Sequence, residues 1–382
     1  MLGEIKKALT VKRHAGVSSN MTLPVLARSA APYFLSRAGS ARPPLTVYWS
    51  INSVCNLSCK MCDVGMQVAE SNFFKNLRLD ASRDEIEIEV FQKVIDEVAE
   101  FKPMIAITST EPLIYRPLPQ AIEHTVKRGL QVAVTTGGYN LQSRAEELVD
   151  AGLTRLTISI DGPPHIHNEI RGRKDSFERA TQGLARFKEL SQARGRQVDA
   201  LINYTVTNHN YFCLADFMKS IEGLPVDVVN VSLMSFVDEK MAKLHNQDYG
   251  DQYNATVNCM AGGTDPTAVD VEVLKAELGI LRRDFAHRAM TLPEQSDSQL
   301  EVYFKDSLSF INANRCMVSW FIAQIIANGD VIPYTRCYNI PLGNVREQPF
   351  MEIWNGPVMR AWRQDLRGHK KFPACTRCDQ CY

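Results

Sequence analysis

Short apolar runs alternate with amphipathic segments between residue 45 and residue 234. Six of the runs have strand-like composition: LTVYWSI (45–51), MIAITST (104–110), QVAVTT (131–136), LTRLTISI (153–160), VDALINYTV (198–206) and VDVVNVSLM (226–234). The segments between them place apolar residues at helical spacing, near 83–101, 118–129, 141–152, 175–191 and 210–221. This alternation indicates parallel βαβ units with right-handed crossovers, so we predict a doubly wound sheet or an open barrel.

The pattern changes on both sides of this core and divides the chain into four parts. Residues 1–44 form a basic arm rich in Ser, Ala and Pro, which we expect to be solvated or loosely docked. Residues 45–235 hold the six predicted strands, and residues 236–305 form a polar connecting segment with one helix near 270–290. Residues 306–382 contain Gly/Pro turns and spaced cysteines, so they are predicted to be a second, small domain.

Composition narrows the possible classes of function. Lys plus Arg and Asp plus Glu both number 43, so the net charge is zero and there is no electrostatic footprint for nucleic acid. No apolar run approaches the roughly 18 residues that span a bilayer. The N-terminal stretch lacks the apolar centre of a secretory signal. We therefore expect a cytoplasmic protein with no nucleic-acid partner and no membrane span.

Three cysteines lie within eight residues directly after the first predicted strand: Cys55, Cys59 and Cys62, in the stretch CNLSCKMC. In a reducing compartment such grouping indicates metal binding or catalysis rather than disulfides. Four-iron clusters normally take four thiolates, so a local group of three leaves one iron open. A zinc site completed from elsewhere and coincidence are the alternatives. The position supports chemistry, because parallel α/β proteins place their sites at the C-terminal ends of strands.

This triad resembles the cluster motif of the radical S-adenosylmethionine (SAM) enzymes. The resemblance implies a partial (β/α)6 TIM-like barrel, which agrees with the six strands counted above. It also implies a 4Fe-4S cluster whose open iron chelates the amino and carboxylate groups of SAM, with reductive cleavage to a 5′-deoxyadenosyl radical. A reducing protein such as flavodoxin or ferredoxin is the implied partner. Met61 departs from the aromatic residue that often precedes the last cysteine.

Two further positions follow the resemblance after the second and third strands. Ser109-Thr110-Glu111-Pro112 stands where the family has Gly-Gly-Glu-Pro, which implies that Glu111 helps to hold the methionine ammonium of SAM. The alternative is an acid at a helix start. Ser and Thr in place of the two glycines restrict how closely the backbone approaches a ligand. Thr135 and Gly137 stand in a turn that is near SAM in related enzymes, although Gly137 also suits an ordinary turn.

The fourth and fifth strands carry the other candidates. The stretch from Ser159 to Arg171 resembles the "SIDG…H…R" stretch of the subgroup with C-terminal auxiliary clusters. It implies that Ser159 faces the SAM ribose or carboxylate. It also implies that the guanidinium of Arg171 donates two parallel hydrogen bonds to the SAM carboxylate. Asp161 either takes part in this site or caps the following loop. On the fifth strand, alternation places Asn203 on a polar face, which suits ligand contact or an exposed edge.

The second group of cysteines consists of Cys316, Cys337, Cys375, Cys378 and Cys381. A turn at residues 328–330 predicts a hairpin that brings Cys316 and Cys337 together. Residues 342–366 resemble the "GN…IWN…R" stretch of SPASM and twitch auxiliary domains, which implies one auxiliary 4Fe-4S cluster in a small α+β domain. Cys316, Cys337, Cys375 and Cys378 would fill it, with Cys381 spare or replacing one of them. The chain has too few cysteines for two auxiliary clusters, so we expect the shorter, twitch-like form. Structural zinc is the alternative.

These features lead to three hypotheses of function. The first is an enzyme that abstracts hydrogen from a C–H bond of a small molecule such as a sugar, a cyclitol or another natural-product intermediate. An auxiliary cluster favours net oxidation, whereas a thiol that returns hydrogen gives epimerisation, with Cys213 and Cys259 as candidate donors. The second is a peptide maturase. It is disfavoured because such enzymes often carry an N-terminal peptide-recognition module, and the 44 residues that precede the first strand here are too few for one. The third is a non-enzymatic metal-binding scaffold, in which Glu111 and an open iron have no role.

Overall fold

Ten strands form one continuous sheet in the part of the chain that the computed structural model describes, residues 22–77, 85–311, 315–334 and 337–378. The strand order across the sheet is β10-β9-β8-β1-β2-β3-β4-β5-β6-β7. The strands are β1 (Thr46–Trp49), β2 (Met104–Ile107), β3 (Val132–Thr136), β4 (Arg155–Ser159), β5 (Asp199–Val206), β6 (Val228–Leu233), β7 (Ala289–Thr291), β8 (Ile322–Ile325), β9 (Asp330–Pro333) and β10 (Gly343–Asn344).

The α-helices of the described residues connect and cover these strands. They are α1 (Leu23–Leu35), α2 (Asp63–Met66), α3 (Asn72–Leu77), α4 (Ile88–Val98), α5 (Leu118–Lys127), α6 (Leu141–Asp150), α7 (Pro164–Arg171), α8 (Ser176–Ala193), α9 (Leu214–Ser220), α10 (Glu239–Tyr253), α11 (Val271–Asp284), α12 (Asp297–Lys305), α13 (Phe350–Trp354) and α14 (Pro357–His369). None of these helices combines the length and the apolar character needed to cross a bilayer.

Strands β1 to β6 pair in parallel in chain order, and β7 adds a parallel neighbour beside β6. Helices join successive strands, as parallel pairing requires. Val47, Ile105 and Val134 on successive strands are fully buried, because a parallel sheet of this kind is covered by its crossover helices. The predicted α/β architecture, a partial (β/α)6 barrel followed by a small domain, is confirmed.

The C-terminal part extends the barrel sheet. β8 pairs in parallel with β1 and antiparallel with β9, which in turn pairs with β10. The predicted hairpin turn is present, and Gly329 at its centre has a φ of 83°, in the left-handed region that glycine adopts readily. The short strands and helices α13 and α14 give this region its α+β character.

Two regions differ from the sequence-based prediction. The stretch after Gly162 was expected to be a loop, but residues 164–171 form helix α7. Pro164 supplies the φ value that a first helical turn needs, and Gly172, with a φ of 68°, ends the helix. The connecting segment contains α10, α12 and β7 in addition to the one helix predicted there.

The described part of the N-terminal arm is docked closely against the C-terminal region. The ring of Tyr33 in α1 packs edge-on against Trp320, with a centroid distance of 4.8 Å. Trp354 Nε1 donates a hydrogen bond of 2.7 Å to the carbonyl of Arg42. The arm is therefore not a solvated segment over these residues.

Candidate functional site

A cavity of about 380 Å³ opens where the parallel strands end. Its lining comes from the ends of successive strands, the first cysteine loop, and the region around Cys337 and Cys378. Every candidate cofactor-binding residue lines it: Glu111, Thr135, Gly137, Ser159, Arg171 and Asn203. The structure thus brings together side chains that lie far apart in the sequence.

The three cysteines of the first group also line this cavity, in the loop between β1 and α2. The amide of Cys62 donates to the carbonyl of Cys59 at 3.1 Å, which closes a tight turn. Burial raises the pKa of the Cys55 thiol to about 12, and neighbouring Cys59 contributes to the rise. Burial likewise raises the pKa of Cys59 to about 11. Metal ligation by these thiols must therefore release protons.

Helix α7 holds one side of the cysteine loop. The amide of Ser58 donates to the carbonyl of Arg171 at 3.2 Å, and the amide of Lys60 donates to the carbonyl of Ile170 at 2.9 Å. Carbonyls in the last turn of a helix lack intrahelical partners, so the loop satisfies them. The side chain of Arg173 adds two hydrogen bonds to the carbonyl of Asn56, at 3.2 and 3.0 Å.

The connecting segment covers the other side of the loop. The amide of Cys259 donates to Asp63 Oδ1 at 2.9 Å, and Thr264 Oγ1 donates to the carbonyl of Lys60 at 3.3 Å. Gly262 has a φ of 62°, and a Cβ there would lie 2.4 Å from the Lys60 carbonyl oxygen. Residues 259–264 therefore pack directly onto the first cysteine group.

Glu111 links the ends of β2 and β3. Its Oε1 accepts hydrogen bonds from the amide of Leu113 at 3.0 Å and from Thr136 Oγ1 at 2.6 Å, and its Oε2 accepts from the amide of Gly137 at 2.9 Å. The side chain is completely buried, and burial raises the pKa of its carboxyl while these hydrogen bonds oppose the rise. These three hydrogen bonds use much of the acceptor capacity of the carboxylate. They also fix the ends of β2 and β3 relative to each other, and we call this part of the lining the cavity floor.

The backbone before Glu111 keeps a glycine-like conformation in spite of its sequence. Ser109 has a φ of 84°, which is uncommon for a residue with a Cβ. Gln324 Nε2 in β8 donates a hydrogen bond to Ser109 Oγ at 3.3 Å, and Thr110 Oγ1 donates to the carbonyl of Asn52 at 2.8 Å. These contacts hold a turn at which the resemblance led us to expect glycine.

A buried ion pair joins the end of β4 to the first cysteine group. Arg171 Nη2 donates to Asp161 Oδ2, and Arg171 Nη1 lies 3.5 Å from Cys59 Sγ. Asp161 Oδ1 also accepts from the amide of Thr205 at 2.9 Å. The sequence predicted that the Arg171 fork pairs with the SAM carboxylate, whereas its two terminal nitrogens contact Asp161 and Cys59. Asp161 thus holds the Arg171 guanidinium beside Cys59.

Asn203 is held by a neighbouring amide on β6. Asn230 Nδ2 donates to Asn203 Oδ1 at 3.2 Å, which leaves the Asn203 amide group as a donor toward the cavity. The buried Asn230 Oδ1 accepts no hydrogen bond from the described residues. This polar pair suits a heterocycle that offers donors and acceptors.

Three cysteines of the second group, Cys337, Cys375 and Cys378, lie near Tyr338. The Tyr338 hydroxyl lies 3.4 Å from Cys375 Sγ. Burial raises the pKa of this phenol well above its usual value, and the thiols of Cys375, Cys337 and Cys378 add to the effect. The neighbours of Cys316 are different: its amide donates to the carbonyl of Lys370 at 3.0 Å, and its thiol adds to the effect of burial in raising the pKa of Tyr33. Cys381 lies outside the described residues.

The remaining cysteine predictions concern Cys213 and Cys259, which are both buried and do not belong to the cavity lining. Cys213 Sγ donates to the carbonyl of Asn210 at 3.3 Å.

One feature of the cavity was not predicted from the sequence: the rings of Tyr48 and Tyr334 stack in its wall, with centroids 4.3 Å apart. The alternation of side chains along β1 indicates the position of Tyr48. Val47 and Trp49 on either side of it are completely buried on one face of the strand, so Tyr48 lies on the other face, toward the cavity.

The chemistry of these residues fits an iron–sulfur cluster with SAM. Three thiols face the cavity beside a fixed guanidinium, and the surrounding strand ends supply carboxylate, hydroxyl and amide groups. Thiolates are the usual ligands of such clusters. Hydroxyl and amide groups on rigid strand ends suit the polar parts of SAM, and Leu57, Met61 and Phe236 provide an apolar wall.

Comparison with known proteins agrees with this arrangement. The family model of the radical SAM superfamily matches residues 49–194, and the model of the SPASM iron–sulfur cluster-binding domain matches residues 316–382. The chain is 24% identical to the pre-heme d1 synthase of Dinoroseobacter shibae, over 90% of this chain and 81% of that protein. It is 27% identical to the AdoMet-dependent heme synthase of Oleidesulfovibrio alaskensis, over 81% of this chain and 74% of that protein.

Among solved structures, the chain resembles Streptococcus suis SuiB bound to S-adenosylmethionine. The TM-score is 0.56 at 16% identity, and the alignment covers 94% of this chain and 78% of SuiB. At this identity the likeness concerns the fold.

Proposed function

The chain belongs to the radical SAM superfamily and carries a C-terminal SPASM domain, and from this premise we propose that it oxidises a small organic substrate held between two iron–sulfur clusters. It is an enzyme whose cofactors are a 4Fe-4S cluster with SAM and an auxiliary 4Fe-4S cluster. The observation that carries the proposal is a single cavity whose lining includes Cys55, Cys59 and Cys62 of the first cysteine group and Cys337 and Cys378 of the second. A substrate in this cavity is within reach of both groups.

When bound, the first cluster with SAM supplies a 5′-deoxyadenosyl radical, and the auxiliary cluster supplies an acceptor for the electron left on the substrate. The substrate then loses one hydrogen atom, one electron and one proton where a double bond to oxygen or carbon forms, or one hydrogen atom and one electron where a cation remains. The protein contributes position and the exclusion of water. Water is excluded by the apolar side chains in the cavity wall, which are Leu57, Met61, Phe73 and Phe236.

The strand ends hold SAM in this proposal. Gly137 presents its backbone close to the cysteine loop, because a Cβ there would lie 2.4 Å from Leu57 Cδ1. Glu111 fixes Gly137 through the 2.9 Å hydrogen bond and contributes its remaining acceptor capacity to the SAM ammonium. Thr135 and Ser159 supply hydroxyls for the ribose and carboxylate, and Asn203 supplies its amide to the adenine.

The auxiliary cluster is proposed to take Cys337, Cys375 and Cys378 as ligands, since all three surround Tyr338. Its fourth ligand is Cys316 or Cys381. The backbone carbonyls of Cys337 and Tyr338 accept hydrogen bonds of 2.7 and 2.8 Å from Asn72 and Asn76 in α3. Helix α3 follows the first cysteine loop, so it ties the two cysteine groups to each other.

Oxidation is favoured over epimerisation by the position of the isolated cysteines. Epimerisation requires a hydrogen donor beside the substrate radical, and neither Cys213 nor Cys259 lines the cavity. In D₂O, an epimerase with a thiol donor incorporates one deuterium into each product molecule, whereas an oxidase leaves the remaining carbon-bound hydrogens unlabelled. Deuterium at the reacting carbon would contradict the proposed oxidation.

Cofactor content and SAM cleavage test the proposal directly. An anaerobically reconstituted sample is expected to contain about eight iron and eight sulfide atoms per chain, as two four-iron clusters require. With a reductant it is expected to release 5′-deoxyadenosine from SAM. Cys59→Ala should abolish this release, whereas Cys213→Ala, a buried cysteine away from the cavity, should retain it. Zinc without iron, or equal release by both variants, would overturn the proposal.

The class of substrate follows from a second observation. Tyr48 and Tyr334 stack on each other in the cavity wall, with ring centroids 4.3 Å apart, and an outer face of such a pair suits stacking of a further planar conjugated ring. The two relatives named above are synthases of heme and of pre-heme d1. We therefore propose a tetrapyrrole as the second candidate, beside the sugar or cyclitol that the sequence suggested. A peptide is a weaker candidate, because SuiB, solved bound to precursor peptide SuiA, resembles this chain in fold alone.

Stimulation of SAM cleavage distinguishes these substrates. An iron coproporphyrin, an inositol and an aminosugar are each added to the reconstituted enzyme, and the rate of 5′-deoxyadenosine release is compared with the rate without substrate. A tetrapyrrole substrate is expected to raise the rate and to show a perturbed Soret band, and Tyr48→Leu should weaken its binding. A rise with the inositol or the aminosugar alone would refute the tetrapyrrole candidate.

A further inference from the structure

The buried pair of Arg171 and Asp161 lies against the first cysteine group, and we infer that it sets the reduction potential of the cluster bound there. The inference rests on the proposed function, in which Cys59 is a cluster ligand. Arg171 acts in this view as a positioning residue with a fixed charge, and Asp161 holds it in place. Neither residue is required to touch the substrate.

The geometry makes the guanidinium a fixed donor to one ligand sulfur. Arg171 Nη1 lies 3.5 Å from Cys59 Sγ, while Nη2 donates to Asp161 Oδ2. The Arg171 side chain is 11% exposed and the Asp161 side chain is completely buried. Asp161 is anchored in turn by the amide of Thr205 at 2.9 Å, and its own amide donates to His167 Nδ1 at 3.1 Å. Such anchoring leaves Arg171 little freedom to move away from Cys59.

Electrostatics gives the direction of the effect. Reduction adds an electron to the cluster, so a nearby positive charge and a hydrogen bond to a ligand sulfur stabilise the reduced form and raise the potential. Asp161 has the opposite sign, but the guanidinium stands between it and Cys59. The pair therefore presents its positive end to the cluster. Loss of Arg171 alone leaves a buried negative charge facing the cluster, and loss of the Asp161 charge alone leaves a buried positive one.

A purely structural role makes a different prediction. A buried ion pair contributes little net stability compared with well-packed apolar residues, whereas removing one partner is strongly destabilising whichever partner is removed. Arg171→Met and Asp161→Asn would then act in the same direction, as a loss of stability. A role in tuning the cluster instead requires opposite shifts in potential from these two variants. The signs of the shifts therefore separate the two roles.

The experiment is a redox titration of the reconstituted full-length enzyme without SAM, followed by the EPR signal of the reduced cluster. Arg171→Met is expected to shift the reduction equilibrium of the first cluster at least tenfold toward the oxidised form, which is 59 mV for a one-electron couple. Asp161→Asn is expected to shift it the other way, and Arg171→Lys, which retains the charge, to shift it less than Arg171→Met. The auxiliary cluster is an internal reference whose potential should not move.

Several outcomes would overturn the inference. One is an unchanged potential in Arg171→Met with a full complement of iron, and another is a shift of the same sign in both single variants. A potential that stays constant while the dissociation constant of SAM rises would assign Arg171 to the SAM carboxylate instead. If Arg171→Met fails to fold, Asp161→Asn and Arg171→Lys carry the test. A wild-type chain that holds no cluster at the triad would refute the proposed function, and this inference with it.

Discussion

Replacement of Glu111 by glutamine tests whether this carboxylate organises the cavity floor. The carboxylate accepts three hydrogen bonds, from the amides of Leu113 and Gly137 and from the hydroxyl of Thr136, at 3.0, 2.9 and 2.6 Å. The oxygen of a carboxamide serves at most two of these donors, and its NH₂ group is directed at the third. One buried N–H group therefore loses its acceptor, which costs about 1–3 kcal/mol.

Glu111→Ala leaves all three donors without this acceptor and creates a cavity, so we expect a larger loss, about 3–6 kcal/mol. Urea unfolding of the cluster-free protein, with the midpoint and the m-value fitted separately, measures both losses. Glu123→Gln is the matched control, because Glu123 is 54% exposed in its pair with Lys127 and surface pairs contribute little. If Glu111→Gln unfolds at the midpoint of the wild type with the same m-value, the carboxylate does not organise this floor.

Three further results are expected. Burial, helped by the charge of Arg171, lowers the pKa of His167 well below 6.5, so stability should fall as pH drops below about 6.5, by up to about 1.4 kcal/mol per unit. Urea midpoints at several pH values should show this fall flattened in His167→Gln and retained in His165→Gln, an exposed control. Tyr338→Phe should lower the potential of the auxiliary cluster alone in an EPR titration, since a hydroxyl donor is lost. Gly262→Ala should reduce the iron retained after gel filtration, because its Cβ displaces the cysteine loop; full retention would contradict this packing.

Local pattern was sufficient to predict six strands separated by helices, and the resemblance to radical SAM enzymes then implied a partial barrel. Whether a segment is a strand or a helix depends on apolar spacing within about ten residues, and strand–helix alternation leaves few topologies. The positions of the candidate ligands followed from this, because residues at the ends of successive parallel strands meet at one edge. Glu111, Thr135, Gly137 and Ser159 were implied by the resemblance to radical SAM enzymes, and in the structure they line one cavity. Helix α7 was missed, since Pro and Gly at its ends resembled a loop.

The second cysteine group was predicted less completely. The hairpin turn was recognised from its sequence, but the turn does not decide which thiols meet. In the structure Cys337, Cys375 and Cys378 lie near Tyr338, whereas the amide of Cys316 donates to the carbonyl of Lys370. These neighbours depend on how the last helix and the N-terminal arm pack, which involves segments more than 300 residues apart.

The amino-acid sequence by itself determined the alternation of strands and helices in the barrel region, the local group of three thiols and the residues at the strand ends, because each depends on short-range spacing. Only the tertiary structure decided that Arg171 contacts Cys59 and Asp161, that residues 259–264 cover the cysteine loop, and that both cysteine groups share one cavity. The guanidinium of an arginine such as Arg171 has several possible hydrogen-bond acceptors of similar chemistry. Which of them it reaches depends on the distances and burial set by packing of the whole chain.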